Sequence, residues 1–417
     1  MSKKNCRIGV IGLGGRGNGM LDILLDVPGV VVPAVCDRIP ERAARGVETA
    51  KKHGVEAVGY TDYHKMLAEV PMDGVYIATT WTTHLPIAYD CMRAGVHAGV
   101  EVGGAASFEE CQRVVRAFQE TGKFCMLMEN CCYDRTEMAV LNMVRQGLFG
   151  EIVHLEGGYR HDLREEIVTG RERQHGRLHN FQHRNGELYP THELGPLAKL
   201  IHINRGNRFT HLVAMASKSR GLDEWIRSRQ TDTDLLGYPW GCGDVVTTLI
   251  KCAGGETITL HHDCSCPRPY SRDYCVQGTK GIFKEDPMIQ WAGGGMLHFD
   301  GDEEKWESFD EKYKEKYDHP LWRLTETEKA KRGHGGMDYL ILCAFAEAVR
   351  TGQPPIDTYD TVTLMAVTYL SEQSIAMGSM PVPFPDFTDG AWIEREAEPA
   401  GKYNCSELCP EYFTEDA

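Results

Sequence analysis

The sequence predicts two domains of different class: an α/β domain with a doubly wound parallel sheet, then an α+β domain with a large, mostly antiparallel open sheet. Over the first 130 residues, short β-branched runs alternate with helical stretches such as 41–52 and 107–121, the pattern of a parallel sheet covered by helices. Farther on, longer strand candidates follow one another with Gly-Gly and Asn-Gly turns, which indicates antiparallel pairing. The predicted domains are 1–129 and 130–395, followed by a C-terminal tail over 396–417.

The length, charge and cysteine content of the chain limit the kinds of molecule with which we expect the protein to interact. The chain has 417 residues, enough for two or three domains, and a formal net charge of −15 that disfavours nucleic acid and anionic membranes as partners. We find neither an apolar run of about 18 residues nor a secretory signal. The 15 cysteines, an odd count, fit a reducing compartment better than a disulfide framework. We therefore expect a cytoplasmic protein that acts on a small molecule.

A glycine-rich stretch near the N-terminus indicates a nucleotide site. In GVIGLGGRG, Gly12, Gly14 and Gly17 form a G-x-G-x-x-G pattern between a strand and a helix, which allows a pyrophosphate to approach the N–H groups of the helix N-terminus. Asp37 lies 20 residues beyond Gly17, at the end of the next apolar strand, where its carboxylate would bind a ribose diol and repel a 2′-phosphate. The spacing predicts a dinucleotide-binding domain that prefers NAD to NADP; the alternative is a purely structural glycine turn.

Two more strand ends belong to the same predicted crevice, because ligands of open parallel sheets lie at the carboxyl ends of the strands. They carry Trp81 and His84 in TTWTTH, and Glu101 and Val102 in VEVGG. These residues are candidates for the nucleotide site. The alternative is that Trp81 packs in the core and that His84 is a loop histidine capping the next helix.

Two Tyr/His pairs are the catalytic candidates of the second domain. In GYRHD, Tyr159 and His161 are two apart on a predicted strand, so both side chains point to the same face. In LYPTH, Pro190 suits a first helical turn, which places Tyr189 just before a helix and His192 in its first turn, where negative charge such as that of an enolate is stabilised. Each pair alone fits a half-buried sheet edge, but both pairs together, after a dinucleotide domain, favour catalysis.

Three further features leave alternatives open. The run HHDCSC at 261–266 has the composition of a metal site, but strand alternation divides its candidate ligands between two faces, and we predict no metal. Tyr270 and His334 lie in turn-rich loops. Each is a candidate either for a site residue or for loop structure alone.

Several long stretches carry a family resemblance: GLGGRG, TTWTTH, MENCCYD, GGYRHDLR, RNGELYPTHELGP with INRGNRF, GDVVTTLIK, PRPYS, EKYDHPLW, GHGGMDY and FPDFTDG. From about residue 6 to 395, the chain resembles the Gfo/Idh/MocA oxidoreductases, with a Rossmann domain first, and more closely their NAD-dependent α-N-acetylgalactosaminidase branch, glycoside hydrolase family 109. In VEVGGAA, the chain lacks the Glu-Lys-Pro that is usual in ordinary oxidoreductases and the Glu-Val-Pro of the glycosidase branch. The missing lysine agrees with the glycosidase branch.

The resemblance implies specific contacts. It implies NAD contacts at Gly15, Arg16, Asp37, Trp81, Thr82, Thr83, His84, Glu101, Val102, Asn130 and Tyr189. It implies sugar contacts at Tyr159, Arg177, Tyr189, Pro190, Thr191, His192 and Tyr270. Many relatives are dimers or tetramers, so it also favours a homo-oligomer.

The activity that the resemblance implies is hydrolysis of a terminal, N-acetylgalactosaminide-like glycoside with NAD regenerated in each turnover. The family reaction oxidises C3 transiently, eliminates the C1 substituent, adds water and reduces C3 again. Tyr and His suit the proton transfers. Our hypothesis assigns the core of the relay to Tyr189 and His192, with Tyr159 and His161 beside the leaving group and C2.

Three points bear on that hypothesis. A tyrosine acting as a base needs a nearby cation, because free tyrosine has a pKa of about 10; Arg177 and Arg184 are candidates. The first alternative activity is that of an NAD-dependent sugar 3-dehydrogenase releasing a keto-sugar, against which the missing lysine after Glu101 argues. The second is a non-catalytic NAD-binding sensor, which the Tyr/His pairs disfavour.

Overall fold

The computed structural model describes residues 5–229, 233–286, 288, 294–323, 332–395 and 401–404. They divide into two compact units. The first comprises the described residues of Met1–Asp134, Pro320–Thr363 and Glu398–Ala417, and the second those of Arg135–His319 and Leu364–Ala397. Within these described ranges, we find no helix with both the length and the apolar character needed to span a bilayer.

The first unit is built on a parallel sheet, as predicted. In the part described, its seven strands are Cys6–Ile11, Val30–Val31, Ala34–Cys36, Val58–Tyr60, Gly74–Ile77, His97–Val100 and Cys125–Leu127. Across the sheet the order is 58–60, 34–36, 6–11, 74–77, 97–100 and 125–127, with 30–31 also pairing with 6–11. Ile8, Val10, Val75, Ile77 and Val100 are fully buried, as expected for strands covered on both faces.

Helices alternate with these strands, and the helices predicted over 41–52 and 107–121 are confirmed. The helices of this unit are Gly15–Leu24, Pro40–Lys52, Tyr63–Glu69, Trp81–Arg93, Phe108–Thr121, Pro320–Arg323, Met337–Thr351 and the start of Thr358–Ala376, with 3₁₀ turns at Asn130–Tyr133 and His334–Gly336.

Residues 320–363 pack with the first unit, although the sequence division places them in the second domain. The reason is visible at the edge strand Cys125–Leu127. Thr358 Oγ1 accepts a hydrogen bond from Cys125 N (3.0 Å), and Thr361 Oγ1 accepts from Leu127 N (2.8 Å) and donates to Cys125 O (3.0 Å). The helix thus satisfies backbone groups that a sheet edge leaves unpaired. Of the predicted tail, only 401–404 lie within the described residues.

The second unit contains a mixed, mostly antiparallel sheet, which confirms the predicted class. Of the part described, nine strands form it, in the spatial order Glu307–Ser308, Gly295–Phe299, Gly281–Glu285, Cys275–Gly278, Ile152–Arg160, Thr257–Asp263, Val245–Cys252, Phe209–Ala216 and Val382–Pro383. The central pair 152–160 and 257–263 is parallel. The helices are Arg135–Arg145, Arg164–Val168, Gly170–Arg173, Arg177–His183, Thr191–Leu200, Gly221–Arg229, Phe309–Lys312, Lys314–Tyr317 and the remainder of Thr358–Ala376, with 3₁₀ turns at Thr233–Leu235 and Ala391–Ile393.

Two adjacent glycines bring helix Thr191–Leu200 and two central strands together. A Cβ on Gly157 would lie 2.6 Å from Glu193 Cβ, and one on Gly158 would lie 2.5 Å from His261 O. Real Cβ atoms do not approach other atoms so closely, so only glycine permits this packing. As a result, the residue that follows Gly158 lies beside the start of the helix.

Candidate functional site

The glycine loop of the first unit is shaped for a phosphate. Gly12 has φ +90°, and a Cβ there would lie 2.5 Å from Ala78 O. A Cβ on Gly17 would lie 1.9 Å from Gly12 O, so the turn closes only with glycine at both positions. In contrast, a Cβ on Gly15, the first residue of helix Gly15–Leu24, would meet nothing within 4 Å. The helix N-terminus therefore has space for an anionic group.

Asp37 adds a hydrogen-bond acceptor to the predicted nucleotide site. It follows strand Ala34–Cys36 and is buried. Its Oδ2 accepts a hydrogen bond from Leu13 N (2.7 Å), and its Oδ1 accepts from Ile39 N (2.9 Å). An ionised carboxylate has further lone pairs that can accept from a ribose diol. The loop and the carboxylate together fit a dinucleotide with an unmodified adenosine ribose.

The first turn of helix Trp81–Arg93 carries four predicted NAD contacts, Trp81, Thr82, Thr83 and His84. A Cβ on Gly103, which has φ +154°, would lie 2.6 Å from Trp81 Cδ1, so the indole packs against the Gly103 backbone. A proline at position 103 would therefore clash with this indole. His84 is buried with its Nε2 3.2 Å from Thr79 O, and burial lowers its pKa to about 4. The packing role considered for Trp81 is therefore present, but His84 lies within the helix and not in a loop, and its ring faces a carbonyl oxygen instead of capping the helix N-terminus. The NAD contacts of this turn stay predictions.

Arg16, Glu101 and Asn130 belong to one hydrogen-bond network. Arg16 Nε donates to Glu101 Oε1 (2.9 Å), which also accepts from Tyr76 Oη (2.5 Å). Asp338 accepts from Arg16 Nη1 and Nη2 (2.7 and 2.9 Å) and from Asn130 Nδ2 (2.8 Å). Tyr76 and Asp338 were not predicted from the sequence as site residues. A tyrosine within the buried strand GVYI and an aspartate within GHGGMDY were the available signals.

In the second unit, the two predicted Tyr/His pairs form one cluster. The ring centroid of Tyr159 lies 4.4 Å from that of Tyr189 and 5.4 Å from that of His192, and the rings of Tyr189 and His192 are 4.9 Å apart. Tyr159 Oη lies 3.2 Å from His161 Nδ1, and the His161 ring lies 5.1 Å from the ring of Tyr270. The strand, the helix start and the loop therefore bring all five predicted side chains together.

Arg177 supplies the cation predicted for this cluster. It begins helix Arg177–His183, and its Cζ lies 5.1 Å from the Tyr189 ring centroid and 5.9 Å from that of Tyr159. Its Nε forms an ion pair with Glu166 Oε1 at 2.7 Å. Arg184, the other candidate, forms an ion pair with Glu372 through Nε and Nη2 (2.6 and 2.7 Å). Glu166 was missed because it lies in a segment of mixed charge without a distinctive motif.

Burial and the Arg177 charge set the protonation of Tyr159 and His161. Burial raises the pKa of Tyr159 above its ordinary value, and the Arg177 charge only partly opposes this. Burial lowers the pKa of His161, and Arg177 lowers it further. At neutral pH, Tyr159 is therefore a phenol and His161 a neutral imidazole, which is a proton donor beside a proton acceptor.

Around the cluster, Pro190 takes the N-cap position of helix Thr191–Leu200, and Thr191 is fully buried. Glu187 is buried, its Oε1 accepts from Tyr189 N (3.4 Å), and burial raises its pKa to about 8. In the HHDCSC run, His262 is fully buried and burial lowers its pKa to about 3. Neither of its ring nitrogens has a hydrogen-bond partner in the described part of the chain.

Two family models match the chain in the positions that this geometry suggests. The oxidoreductase family with an NAD-binding Rossmann fold matches residues 6–129, and the C-terminal domain of glycosyl hydrolase 109 matches residues 133–394. The chain belongs to glycosyl hydrolase family 109. It is therefore a glycosidase of the family 109 kind, and NAD is its cofactor.

Known relatives are similar in sequence to this enzyme over most of its length. A glycosyl hydrolase family 109 protein of Stenotrophomonas maltophilia (strain K279a) is 42% identical, with 94% of this chain and 91% of that protein covered. An alpha-N-acetylgalactosaminidase of Tannerella forsythia is 38% identical, with 94% and 88% covered. Among solved structures, levoglucosan dehydrogenase in complex with NADH and levoglucosan has a TM-score of 0.67 at 19% identity, covering 92% of this chain and 100% of that one. This last similarity supports the fold alone.

Proposed function

We propose that the enzyme hydrolyses terminal N-acetylgalactosaminide-like glycosides by transient oxidation of the sugar at C3. The observation that carries the proposal is the cluster of Tyr159, His161, Tyr189 and His192 beside Arg177 within the family 109 domain. Relatives named alpha-N-acetylgalactosaminidase, from Tannerella forsythia and Shewanella oneidensis, support the substrate class. When bound at the glycine loop and Asp37, NAD supplies reversible hydride removal at C3.

The chemistry of the sugar explains why tyrosine and histidine suffice. A ketone at C3 makes the C2 proton acidic, so a moderate base can remove it and the C1 substituent can then leave. Water adds to the unsaturated ketone that results. Protons must therefore move at the C3 hydroxyl, at C2 and at the leaving oxygen, and positioned Tyr and His side chains are suited to such transfers.

The protonation states suggest which groups act where. Tyr159 stays a phenol because burial raises its pKa, so we assign it to donate a proton to the leaving oxygen. The water that adds to C1 would return this proton to Tyr159, and neutral His161, with its Nδ1 3.2 Å from Tyr159 Oη, would orient the hydroxyl by accepting its hydrogen bond. Tyr189 and His192 would serve the C3 hydroxyl and C2, at the start of helix Thr191–Leu200. The helix N-terminus favours the negative charge of an enolate.

The proposal is tested with nitrophenyl α- and β-glycosides, N-acetylgalactosaminides included, by following nitrophenol release and reduced NAD together. Many turnovers without net accumulation of reduced NAD are expected. Reduced NAD accumulating in proportion to consumed substrate, with little nitrophenol, would instead establish a sugar 3-dehydrogenase. Hydrolysis in heavy water adds a direct test of elimination: deuterium must appear at C2 of the released sugar.

We further propose that the enzyme is cytoplasmic and homo-oligomeric. In support of a reducing compartment, the thirteen cysteines of the described ranges are in the thiol form, and all but Cys266 are buried. Cell fractionation tests the location, and light scattering during size-exclusion chromatography tests the oligomeric state.

A further inference from the structure

The segment GHGG before helix Met337–Thr351 has an unusual backbone. Gly333, His334, Gly335 and Gly336 have φ of +68°, +43°, +71° and +118°. A residue with a Cβ rarely adopts this conformation, and His334 does so between glycines. Residues held in sparsely populated conformations cluster at functional sites. The strained backbone of this segment therefore indicates a function beyond connecting two elements of secondary structure.

The turn encloses one carboxylate, that of Asp338. A Cβ on Gly333 would lie 2.4 Å from Asp338 Oδ2, so only glycine permits the chain to pass there. His334 Nδ1 lies 2.8 Å from the same Oδ2. The side chain of Asp338 is 3% exposed, whereas that of His334 is 52% exposed. The strained turn thus holds an imidazole from the surface against a buried carboxylate.

Asp338 in turn holds two residues of the predicted NAD site. Both terminal nitrogens of Arg16 donate to it, and so does the amide of Asn130. Although burial opposes ionisation, the hydrogen bond from His334 and the charge of Arg16 hold the pKa of Asp338 well below its ordinary value. Its position in the first turn of a helix also favours negative charge. Asp338 is therefore ionised when it binds the guanidinium.

The orientation of Arg16 depends on these carboxylates. Glu101 holds Nε, and Asp338 holds both terminal nitrogens in a bidentate pair, the geometry that fixes a guanidinium most firmly. The Arg16 side chain is 33% exposed, and it follows Gly15 directly at the helix N-terminus where the phosphate space lies.

We propose that Asp338, held by the GHGG turn, is the positioning residue of the NAD site, which fixes Arg16 and Asn130 in the orientation that the cofactor needs. The inference rests on Arg16 and Asn130 being NAD contacts, as the proposed function has them. It assigns a role to the GHGGMDY motif that the glycosidase chemistry leaves unexplained.

The test measures the dissociation constant of NAD, without sugar, by calorimetry on the full-length protein. Asp338→Asn preserves shape but removes the charge, and we expect the constant to rise about tenfold to hundredfold, as for loss of a charged hydrogen bond. Asp360→Asn is the matched control: Asp360 is likewise buried in the first turn of a helix of the first unit, and its Oδ2 accepts from Asp357 N (3.1 Å). The control should keep the wild-type constant.

A double-mutant cycle separates positioning from general destabilisation. Arg16→Ala should weaken NAD binding, and Asp338→Asn should weaken it less in that background than in wild type, because only the effect through Asn130 remains. Millimolar guanidinium ion should partly restore affinity to Arg16→Ala but not to the double variant. Additive losses, rescue that does not depend on Asp338, or a wild-type constant for Asp338→Asn would each overturn the proposal.

His334→Ala keeps the test decisive if Asp338→Asn does not fold. This variant retains the carboxylate and removes only its exposed partner, and we expect the NAD dissociation constant to rise about threefold to tenfold. An unchanged constant would refute the role of the turn. Because no sugar is present, the result does not depend on whether the glycosidase proposal holds.

Discussion

Replacing Tyr159 by Phe tests the proton-donor role directly. The substitution removes one hydroxyl, which lies 3.2 Å from His161 Nδ1 and also interacts with Arg177, and leaves the ring packed 4.4 Å from that of Tyr189. Since burial keeps the phenol protonated, the lost function is donation of a proton. The leaving group that most needs this proton should therefore suffer most.

The magnitude follows from that role. A positioned general acid contributes about 10²- to 10⁴-fold to rate, so hydrolysis of a methyl glycoside, whose alkoxide must be protonated, should slow by this factor in kcat. A nitrophenyl glycoside releases a weak base, and its kcat should fall by less than about fivefold on the same argument. Loss of one buried hydrogen bond lowers the free energy of unfolding by only about 1 kcal/mol.

The assay compares kcat for the methyl and nitrophenyl glycosides of one sugar in wild type and Tyr159→Phe. Tyr274→Phe is the matched control, because Tyr274 is a buried tyrosine of the same unit whose ring packs on Phe283; it should leave both rates unchanged. Equal losses for the two substrates would show that Tyr159 does not protonate the leaving oxygen.

Three further predictions concern the relay, the cofactor loop and a buried acid. His192→Ala should abolish turnover while NAD binding, measured by calorimetry, stays as in wild type; near-normal hydrolysis would exclude His192 from the mechanism. Gly103→Ala should weaken NAD binding because its Cβ would lie 2.6 Å from Trp81 Cδ1, whereas Gly19→Ala, whose Cβ meets nothing within 4 Å, should not. Glu187 has a pKa of about 8 in the folded protein, against its usual value of 4.5. Between these two pH values the folded state keeps a proton that the unfolded chain releases. The free energy of unfolding therefore falls as pH rises through this range, by about 1.4 kcal/mol per pH unit. Glu187→Gln should remove this slope, so its gain in Tm over wild type should grow from about pH 5 to about pH 8; a gain independent of pH would show that Glu187 is ionised in the fold.

Local patterns predicted most of the fold, and long-range packing determined the rest. Period-2 alternation predicted Tyr159 and His161 on a strand, and helical patterns predicted the helices Pro40–Lys52 and Phe108–Thr121 within a few residues. They could not show that 152–160 pairs in parallel with 257–263, because alternation of side chains is the same in both directions. Nor could they assign 320–363 to the first unit, since that depends on threonine hydroxyls meeting a strand edge far away in sequence.

In the candidate site, too, local sequence patterns predicted some features and long-range packing determined the others. Strand alternation alone predicts that Tyr159 and His161 share a face. Pro190 predicts the helix start at which Tyr189 and His192 lie. The partners that orient the site could not be predicted, because ion pairs such as Arg177 with Glu166 depend on how helices pack. Individual NAD and sugar contacts stay predictions, although the cofactor itself is confirmed.

Asp162, Glu166 and Glu187 near the cluster are each ion-paired or protonated, which bears on why the proposed mechanism uses NAD. A glycosidase that uses two carboxylates needs one protonated and one ionised group flanking the bond. Here Asp162 forms an ion pair with Arg164 (2.6 Å) and Glu166 one with Arg177 (2.7 Å), while Glu187 is buried and protonated at neutral pH. The groups that we assign to move protons are thus phenols and imidazoles. Under the proposed mechanism, oxidation at C3 would acidify C2 so that such groups could remove its proton, which is a physical reason for one chain to combine an NAD-binding unit with this Tyr/His cluster.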